Sequence, residues 1–411
     1  MTYRNVGFRL LLALAVVLSA GLGIQSLFGP GATVRAASAA SPVPCPICND
    51  NNADTFDRCV NGQCVYTPID TIPATVVFTL EDSGPGSLRA AIEAANNSPE
   101  DDVITFWVNG TITLTSGELT VAGTGKLTIQ GNGASQTIIS GNNAMRVFNI
   151  NPYNVSPGTD VTFNHLTIEK GNVRDNFHSC NFGGAIFNPY ATVTMNDCTI
   201  SGHSATGGAC NIGGAIFNGL TLNLTNCTFT NNGVSGGERE YDNGGAIANG
   251  VLGTVNMTNC TLTNNFVGNT RSGAGGGIWS FGTLNLTNCT FSGNSAPIGG
   301  AILSQTALDY SATVNMTNCT ITNNSGKYAG GIINSGTFNV RNTIIAGNTA
   351  TTQGPDVYGP LTSQGFNLIG NNANATINAA DGDQIGTSAS PINPQLAPLA
   401  NNGGPTQTHA L

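Results

Sequence analysis

Three carboxylates alternate along one short segment of a chain in which only 9% of the residues are charged. They are Glu238, Glu240 and Asp242, and Arg271 follows in the next variable segment. A polysaccharide lyase needs a base beside a uronate carboxyl group, whereas a glycoside hydrolase needs two carboxyl groups at a defined separation. These four residues are therefore the catalytic candidates. The neighbouring strand positions are almost uncharged and no paired-aspartate motif occurs, so the sequence favours a binding protein over an enzyme.

A second set of candidates is apolar and follows a phrase that recurs six times, GGAI or a close variant. The residue after the isoleucine is bulky in five copies: Phe187, Phe217, Trp279, Leu303 and Ile333. Strand alternation would turn these side chains outward, as an apolar stripe on which sugar rings can stack. A bend or a covering loop would bury them instead. The variable loops add three ligand-binding candidates, Tyr241, Arg271 and Tyr328.

Four crowded cysteines follow the first forty residues: Cys45, Cys48, Cys59 and Cys64. In an exported chain this density predicts two disulfides in a module too small for a core of its own, and it leaves the pairing open. Zinc is the alternative, but no histidine accompanies the cysteines.

The same segment carries oxygen ligands that suit calcium: Asp50, Asn52, Asp54 and Asp57. The glycine and the terminal glutamate of an EF-hand loop are missing, so ordinary solvated turns are expected. The sequence predicts no cofactor and leaves calcium open.

The N-terminus reads as an export signal over residues 1–39. Arg4 and Arg9 precede the apolar residues 10–20, and Ala37-Ser38-Ala39 fits a cleavage site. An uncleaved anchor is the alternative. Cleavage removes three arginines (Arg35 is the third) and so takes the net charge from −9 to −12. We therefore expect an extracellular or cell-surface protein without a membrane span after cleavage, which binds neither nucleic acid nor anionic membrane.

The repeat predicts the fold. In phrases such as TVNMTNCTI every second residue is apolar, and this alternation shifts by one residue at an asparagine. A variable loop follows and leads to the next GGAI. A shifted alternation requires a corner, so each repeat holds three short strands and no helix. The sequence therefore predicts an all-β, single-stranded, right-handed parallel β-helix whose coils stack side chains into ladders. The core ladder would contain Ile186, Ile216, Ile247, Ile278, Ile302 and Ile332, and the corners would hold Asn226, Asn259, Asn288 and Asn318.

The later cysteines fall into two groups. Cys198, Cys227, Cys260, Cys289 and Cys319 should face inward as small hydrophobic side chains. Cys180 and Cys210 should lie one coil apart at loop edges. Because that separation suits a disulfide, we predict a bridge between them.

Five regions follow: a signal peptide (1–39), a cysteine-rich disulfide module (40–70), an N-terminal cap of strand and helix (71–102), the β-helix (103–375) and an irregular C-terminal cap (376–411). The cap helix is predicted from Leu88, Ala91, Ile92 and Ala95, which share one face.

The ends and the repeats resemble known families. EDSGPGSLRAAIEAANNSPEDDVITF, GPDVYGPLTSQGFNLIGNN and INPQLAPLANNGGPTQTHAL are similar to the opening and closing phrases of exported bacterial β-helix proteins of the CSLREA and choice-of-anchor type. The pairing of FSGN with GGAI resembles the repeat of chlamydial polymorphic outer-membrane proteins. The resemblance implies a pectin-lyase-like β-helix at the cell surface or in the medium, and no agreed activity. Members usually continue past THAL, so it also implies a fragment or a lost anchor.

Three functions are compatible with this sequence. The first is an adhesin-like monomer whose loop face binds an extracellular polysaccharide or a surface protein. The second is a polysaccharide lyase or glycoside hydrolase, which the fold alone does not establish. The third is a passive spacer.

Overall fold

A computed structural model describes residues 47–152, 160–174, 179–237, 241–268, 272–307 and 310–411. The predicted signal peptide and Cys45 lie outside the described residues. The chain divides into two compact units, Met1–Ile72 and Pro73–Leu411. No described helix has the length and apolar character that crossing a membrane requires.

The described part of the first unit is an antiparallel hairpin of Thr55–Val60 and Gln63–Pro68, followed by a short 3-10 helix, Ile69–Thr71. Asn61 and Gly62 form its turn, both with positive φ, which is the conformation that two-residue hairpins prefer. A disulfide joins Cys48 to Cys64, and Cys59 is also disulfide-bonded. Disulfides therefore stabilise a unit that has few buried residues.

The calcium candidates of this unit bind groups of their own loop. Asp50 Oδ1 accepts hydrogen bonds from the Asn52 amide and from Thr55 Oγ1, both at 2.9 Å. Asn52 Oδ1 accepts from the Asp54 amide at 3.0 Å. These contacts are those of turns closed by their own side chains, and calcium stays the open alternative for this loop.

The second unit is a parallel β-helix with three stacked faces. Face 1 carries the longest repeat strands, which pair in parallel with the coils above and below. Its strands are Val76–Val77, Asp102–Phe106, Leu127–Gln130, Val161–Asn164, Thr192–Asn196, Thr221–Thr225, Thr254–Thr258, Thr283–Thr287, Thr313–Thr317, Thr337–Arg341, Val357–Ser363 and Ala375–Asn378.

Face 2 follows face 1 across the asparagine corner and forms an 11-stranded parallel sheet in the described chain. Its strands are Gly110–Thr113, Thr137–Ser140, Thr167–Glu169, Thr199–Ser201, Thr228–Thr230, Thr261–Thr263, Thr290–Ser292, Thr320–Thr322, Ile344–Ile345, Leu368–Ile369 and Gln384–Ile385. The stack therefore continues past the predicted boundary at residue 375.

Face 3 contains the GGAI phrases and merges with face 1 at the strand Val357–Ser363. Its other strands are Leu119–Val121, Phe148–Ile150, Ile186–Asn188, Ile216–Asn218, Ile247–Asn249, Ile278–Ser280, Ile302–Ser304 and Ile332–Asn334. The six predicted core isoleucines lie in one register column and are fully buried.

Two smaller parallel sheets connect face 2 to face 3 through the variable loops. The first has seven strands: Asn172–Val173, Ser204–Thr206, Gly233–Ser235, Phe266–Val267, Ser295–Ile298, Ser325–Tyr328 and Thr349–Gln353. The second has three: Cys180–Phe182, Cys210–Ile212 and Tyr241–Asn243. The sequence does not predict these sheets because the loops differ in length.

The predicted corners and cysteines occupy their expected places. Asn226, Asn259, Asn288 and Asn318 all have φ near +55°, a region that asparagine tolerates better than most residues. Cys180 and Cys210 pair in register and form the predicted disulfide, with their Cα atoms 4.6 Å apart. The five remaining cysteines are free and buried.

The N-terminal end of the stack is closed by the helix Leu88–Asn96. Ser87 caps it by accepting a hydrogen bond from the Ala90 amide at 3.2 Å. Leu88, Ala91, Ile92 and Ala95 are its buried residues, as predicted.

A salt bridge and its hydrogen bonds connect this helix to the residues before it and to a later coil. Arg89 bridges Asp82 at 2.7 Å and donates to the carbonyl oxygens of Gly117 and Glu118. Asp82 also accepts hydrogen bonds from Thr115 and Ser116. Burial alone would raise the pKa of Asp82, but these hydrogen bonds outweigh it and hold that pKa far below its ordinary value.

A ladder of buried amides runs behind the corner between face 2 and the seven-stranded sheet. In each step the side-chain Nδ2 donates to an Oδ1 at 2.9 Å, which belongs to the next coil in the asparagine steps. In the last step the acceptor is Asp356, which follows Asn348 by eight residues. The members are Asn232, Asn265, Asn294, Asn324, Asn348 and, at the end, Asp356. His203 occupies the preceding step, where its backbone amide donates to Asn232 Oδ1 at 3.0 Å.

His203 is buried and neutral. Its Nδ1 accepts from the Gly171 amide at 2.8 Å, and Nε2 lies 2.9 Å from the Ile168 carbonyl oxygen, so Nε2 carries the proton. Burial lowers the pKa of His203 from 6.5 to about 4.

Acidification is expected to destabilise the β-helix through His203. Between about pH 6.5 and about pH 4 the unfolded chain binds a proton that the folded chain does not, so up to about 3 kcal/mol of unfolding free energy is lost. Urea unfolding of the wild-type chain and of His203→Asn, which restores the ladder residue without a titrating group, tests this. The wild-type midpoint should fall further than that of the variant between about pH 7 and about pH 5; parallel decreases would contradict the assignment.

Candidate functional site

A cluster of three phenylalanines lies on the outer side of face 3. In the strands Ile186–Asn188 and Ile216–Asn218 the isoleucine and the asparagine point inward, and the phenylalanine between them points outward. Phe187 and Phe217 pair in register, with ring centroids 5.5 Å apart. Both are half-buried, so they combine a fixed position with an accessible ring surface.

The third ring comes from the loop side of the coil. Phe182 ends the strand Cys180–Phe182, and its ring centroid lies 4.9 Å from that of Phe217 and 5.6 Å from that of Phe187. The Cys180–Cys210 disulfide fixes the start of the same strand. The disulfide therefore helps to position Phe182 in the cluster.

The phenylalanines form the floor of an open groove of about 490 Å³, which we call the aromatic groove. Tyr190, Leu220 and Leu252, each from the corner after a GGAI phrase, stand exposed by 48%, 41% and 65% along it. Gly219 lies so close to the Pro189 carbonyl oxygen that a side chain there would collide with it. The complete lining is Phe182, Phe187, Pro189, Tyr190, Phe217, Gly219, Leu220, Gly250, Val251 and Leu252.

A charged pair borders the N-terminal edge of the cluster. The Arg146 guanidinium lies 5.1 Å from the centroid of the Phe187 ring and bridges Glu118 at 2.7 Å. Glu118 also accepts from Asn149 Nδ2 at 2.7 Å, and Asn149 is the register neighbour of Phe187. The lining itself is uncharged, so the groove suits a neutral ligand with apolar surface.

The remaining ligand-binding candidates do not join the groove. Trp279 packs edge-to-face against Phe281, with ring centroids 4.5 Å apart. The buried Ala248 separates Trp279 from Phe217 along face 3. Leu303 is buried as well. The predicted stripe is therefore interrupted, because one coil carries alanine where its neighbours carry aromatic rings.

The loop candidates lie elsewhere on the coils. Tyr241 is exposed on the three-stranded sheet, beside Cys210 in register. Tyr328 is half-buried on the seven-stranded sheet, with Lys327 Nζ 5.3 Å from its ring centroid. Arg271 lies outside the described residues. Sequence reasoning missed four residues of the groove: Phe182, Tyr190, Leu220 and Leu252. The last three each follow a GGAI phrase, but their corners differ in residue type and share no motif.

Of the catalytic candidates, only Asp242 is described, and it has a structural role. It is fully buried and ends a ladder in which Asn181 Nδ2 donates to Asn211 Oδ1 at 3.0 Å and Asn211 Nδ2 donates to Asp242 Oδ1 at 2.8 Å. Its other oxygen accepts from the Gly237 amide at 3.2 Å. Glu238, Glu240 and Arg271 lie outside the described residues, so these four residues stay the candidates only for the alternative in which the chain is an enzyme. No group of three or more histidine, cysteine or acidic residues in the described ranges is arranged to hold a metal ion.

Comparisons with known proteins find similarity over parts of the chain. Residues 288–305 match the Chlamydia polymorphic membrane protein repeat. A solved PL6 alginate lyase in complex with a trisaccharide is similar with 14% identity and a TM-score of 0.34, over 73% of this chain and 60% of that chain. This chain thus spans 60% of the length of that lyase. No curated protein matches the chain.

The matched stretch contains the strands Thr290–Ser292 and Ile302–Ser304, which belong to one coil. The predicted resemblance to chlamydial repeats is confirmed for this coil. The resemblance to CSLREA and choice-of-anchor proteins stays a prediction.

Proposed function

We propose that this chain is an exported, surface-exposed β-helix protein that binds neutral polysaccharides in the aromatic groove. The observation that carries the proposal is the contact of Phe182, Phe187 and Phe217 on a rigid face, half-exposed and without charge in the lining. The match to a surface-protein repeat and the predicted export signal support the location.

The groove fits sugar rings for a physical reason. The axial C–H groups of a pyranose form an apolar face that packs on an aromatic ring, while its hydroxyl groups stay in water or meet polar groups at the edge. Tyr190 offers a hydroxyl group at the rim of the groove, and Arg146 and Glu118 border the ring cluster. An acidic chain repels anionic polymers over long range, so neutral polymers are favoured.

Replacing Phe217 with alanine is expected to weaken glycan retention about 10–30-fold, because the central ring contributes both stacking and buried apolar area. The purified chain is incubated with an array of neutral and uronate polysaccharides, with and without calcium, and retention and new chain ends are measured. Phe266→Ala is the matched control, since Phe266 is an aromatic residue exposed by 42% on the seven-stranded sheet, away from the groove.

Each outcome of this experiment is informative. If Phe217→Ala lowers glycan retention and Phe266→Ala leaves it unchanged, the result supports the aromatic groove as the binding site. Equal losses in both variants, or no retention, contradict it, and the second result favours a spacer. New reducing ends or unsaturated uronides would establish an enzyme in place of a binding protein.

A further inference from the structure

Face 1 carries a grid of threonine and asparagine side chains on its outer side. Four consecutive strands read Thr-x-Asn-x-Thr: Thr221–Thr225, Thr254–Thr258, Thr283–Thr287 and Thr313–Thr317. They pair residue for residue, without a bulge. The x positions are buried, and the threonines and asparagines point outward. The grid contains no charged residue.

The central column of the grid is held by its own hydrogen bonds. Asn256 Nδ2 donates to Asn223 Oδ1 at 2.8 Å, Asn285 to Asn256 at 2.8 Å, and Asn315 to Asn285 at 2.9 Å. Such side-chain ladders stabilise flat sheets, which are otherwise uncommon. The threonine hydroxyl groups on both sides of the column make no hydrogen bond to any described residue. The grid is therefore ordered and retains free hydroxyl groups.

Face 2 carries a comparable set of threonines, but the C-terminal segment covers it. Thr261 Oγ1 donates to the Gln407 carbonyl oxygen at 2.7 Å, and Thr406 Oγ1 donates to the Asn259 carbonyl oxygen at 3.0 Å. His409 Nε2 lies 3.0 Å from Ser292 Oγ. Thr261 and Thr290 are buried in consequence. The C-terminal segment thus covers face 2 at the coils of Thr261 and Thr290, whereas the threonines of the grid on face 1 keep part of their surface exposed.

We infer that the grid on face 1 binds ice. Neighbouring coils stack about 4.8 Å apart, and alternate residues of one strand lie about 6.6 Å apart. Hexagonal ice repeats its oxygen atoms on a rectangular prism-plane grid close to both of these spacings. Within each threonine row the side chains repeat at the coil spacing, and the asparagine column lies at the alternate-residue spacing from both rows. Threonine and asparagine groups together can therefore hold water molecules in the positions of that lattice.

The grid is less suited to a soluble ligand. It has no aromatic ring on which a sugar could stack and no pocket that would enclose a small molecule. The affinity of the grid would come from many weak contacts that repeat in two directions. Only a ligand with an ordered, periodic surface can make all of these contacts at once. This inference does not use the aromatic groove, whose lining ends at the corner before face 1, at Leu220 and Leu252.

The test is inhibition of ice recrystallisation by the purified chain, together with the shape of single ice crystals grown in its presence. Thr283→Tyr places a bulky ring in the middle of the grid and is expected to abolish both effects. Ser325→Tyr, at an exposed position on the seven-stranded sheet, should leave both unchanged. Thermal melting of the two variants shows whether each is folded.

The inference is overturned if the wild-type chain neither shapes ice nor slows recrystallisation, or if folded Thr283→Tyr retains full activity. Thr254→Tyr provides a second grid variant should Thr283→Tyr fail to fold. A third result would also reject ice as the ligand: the wild-type chain has no effect on ice but is retained on crystalline chitin or cellulose, and Thr283→Tyr abolishes that retention. The grid would then be assigned to a polysaccharide surface. Glycan retention at the aromatic groove should not change in Thr283→Tyr, because the coil of Thr283 contributes no residue to the groove lining.

Discussion

Replacing Ile247 with aspartate is expected to unfold the middle of the β-helix. Ile247 is fully buried, and Ile216 and Ile278 are its register neighbours on the two adjacent coils. An aspartate there would be a buried charge without a partner, at a cost of about 3–5 kcal/mol or more. Because each coil contacts only its neighbours, the damage should spread along the stack. Thermal melting followed by circular dichroism measures the effect.

Ile333→Asp is the matched control. Ile333 lies on the same face one position after a core isoleucine, but it points outward and is half-buried. Its replacement should lower the melting temperature only slightly. Normal melting of Ile247→Asp, or equal losses in both variants, would contradict the register that places every ladder isoleucine inside.

Replacing Asn294 with leucine is expected to cost about 3–5 kcal/mol of unfolding free energy, since it leaves several buried polar groups unpaired. Asn294 Oδ1 accepts from the amide nitrogen of Asn265 at 3.0 Å and from its Nδ2 at 2.9 Å. Asn294 Nδ2 donates to the Leu262 carbonyl oxygen at 2.9 Å and to Asn324 Oδ1 at 2.9 Å. Urea unfolding of the purified variant measures the loss.

Asn285→Leu is the control for this substitution, because Asn285 makes the same kind of ladder hydrogen bond on the half-exposed outer side of face 1. Water can replace its lost partners, so a cost of about 1 kcal/mol or less is expected. Similar losses of unfolding free energy in Asn294→Leu and Asn285→Leu would show that the buried ladder stabilises the fold no more than the exposed one.

Much of the fold could be predicted from the repeat. The isoleucines from Ile186 to Ile332 and the corner asparagines recur at a nearly constant period, and each repeat supplies its own local signal for strand and turn. The Cys180–Cys210 disulfide follows from the same period, because equivalent residues of adjacent coils must lie close together.

The parts that escaped prediction depend on contacts outside the period. His203 replaces an asparagine of the buried ladder, and its burial contradicts the usual expectation for a histidine in a variable loop. Asp242 reads as a catalytic carboxylate in the sequence, and only its neighbours Asn181 and Asn211 show it to be a ladder end. The C-terminal segment reaches face 2 across more than a hundred residues, for which the local sequence carries no signal.

The aromatic groove combines both kinds of contact. Phe187 and Phe217 belong to the repeat and were predicted to lie together. Phe182 and Tyr190 come from the loop and the corner beside them, and their approach depends on how each loop returns to face 3. Sequence reasoning therefore found two of the three clustered rings and could not outline the groove.

The most direct test of the proposed function is hydrogen–deuterium exchange of the chain with and without a polysaccharide that it retains. Bound polymer should slow amide exchange in the segments 182–190, 217–220 and 250–252, which line the groove and lie in three consecutive coils. Exchange elsewhere on the β-helix should stay the same. Slowed exchange confined to the loops around Tyr241 and Tyr328, with the groove segments unchanged, would contradict the assignment of the aromatic groove as the binding site.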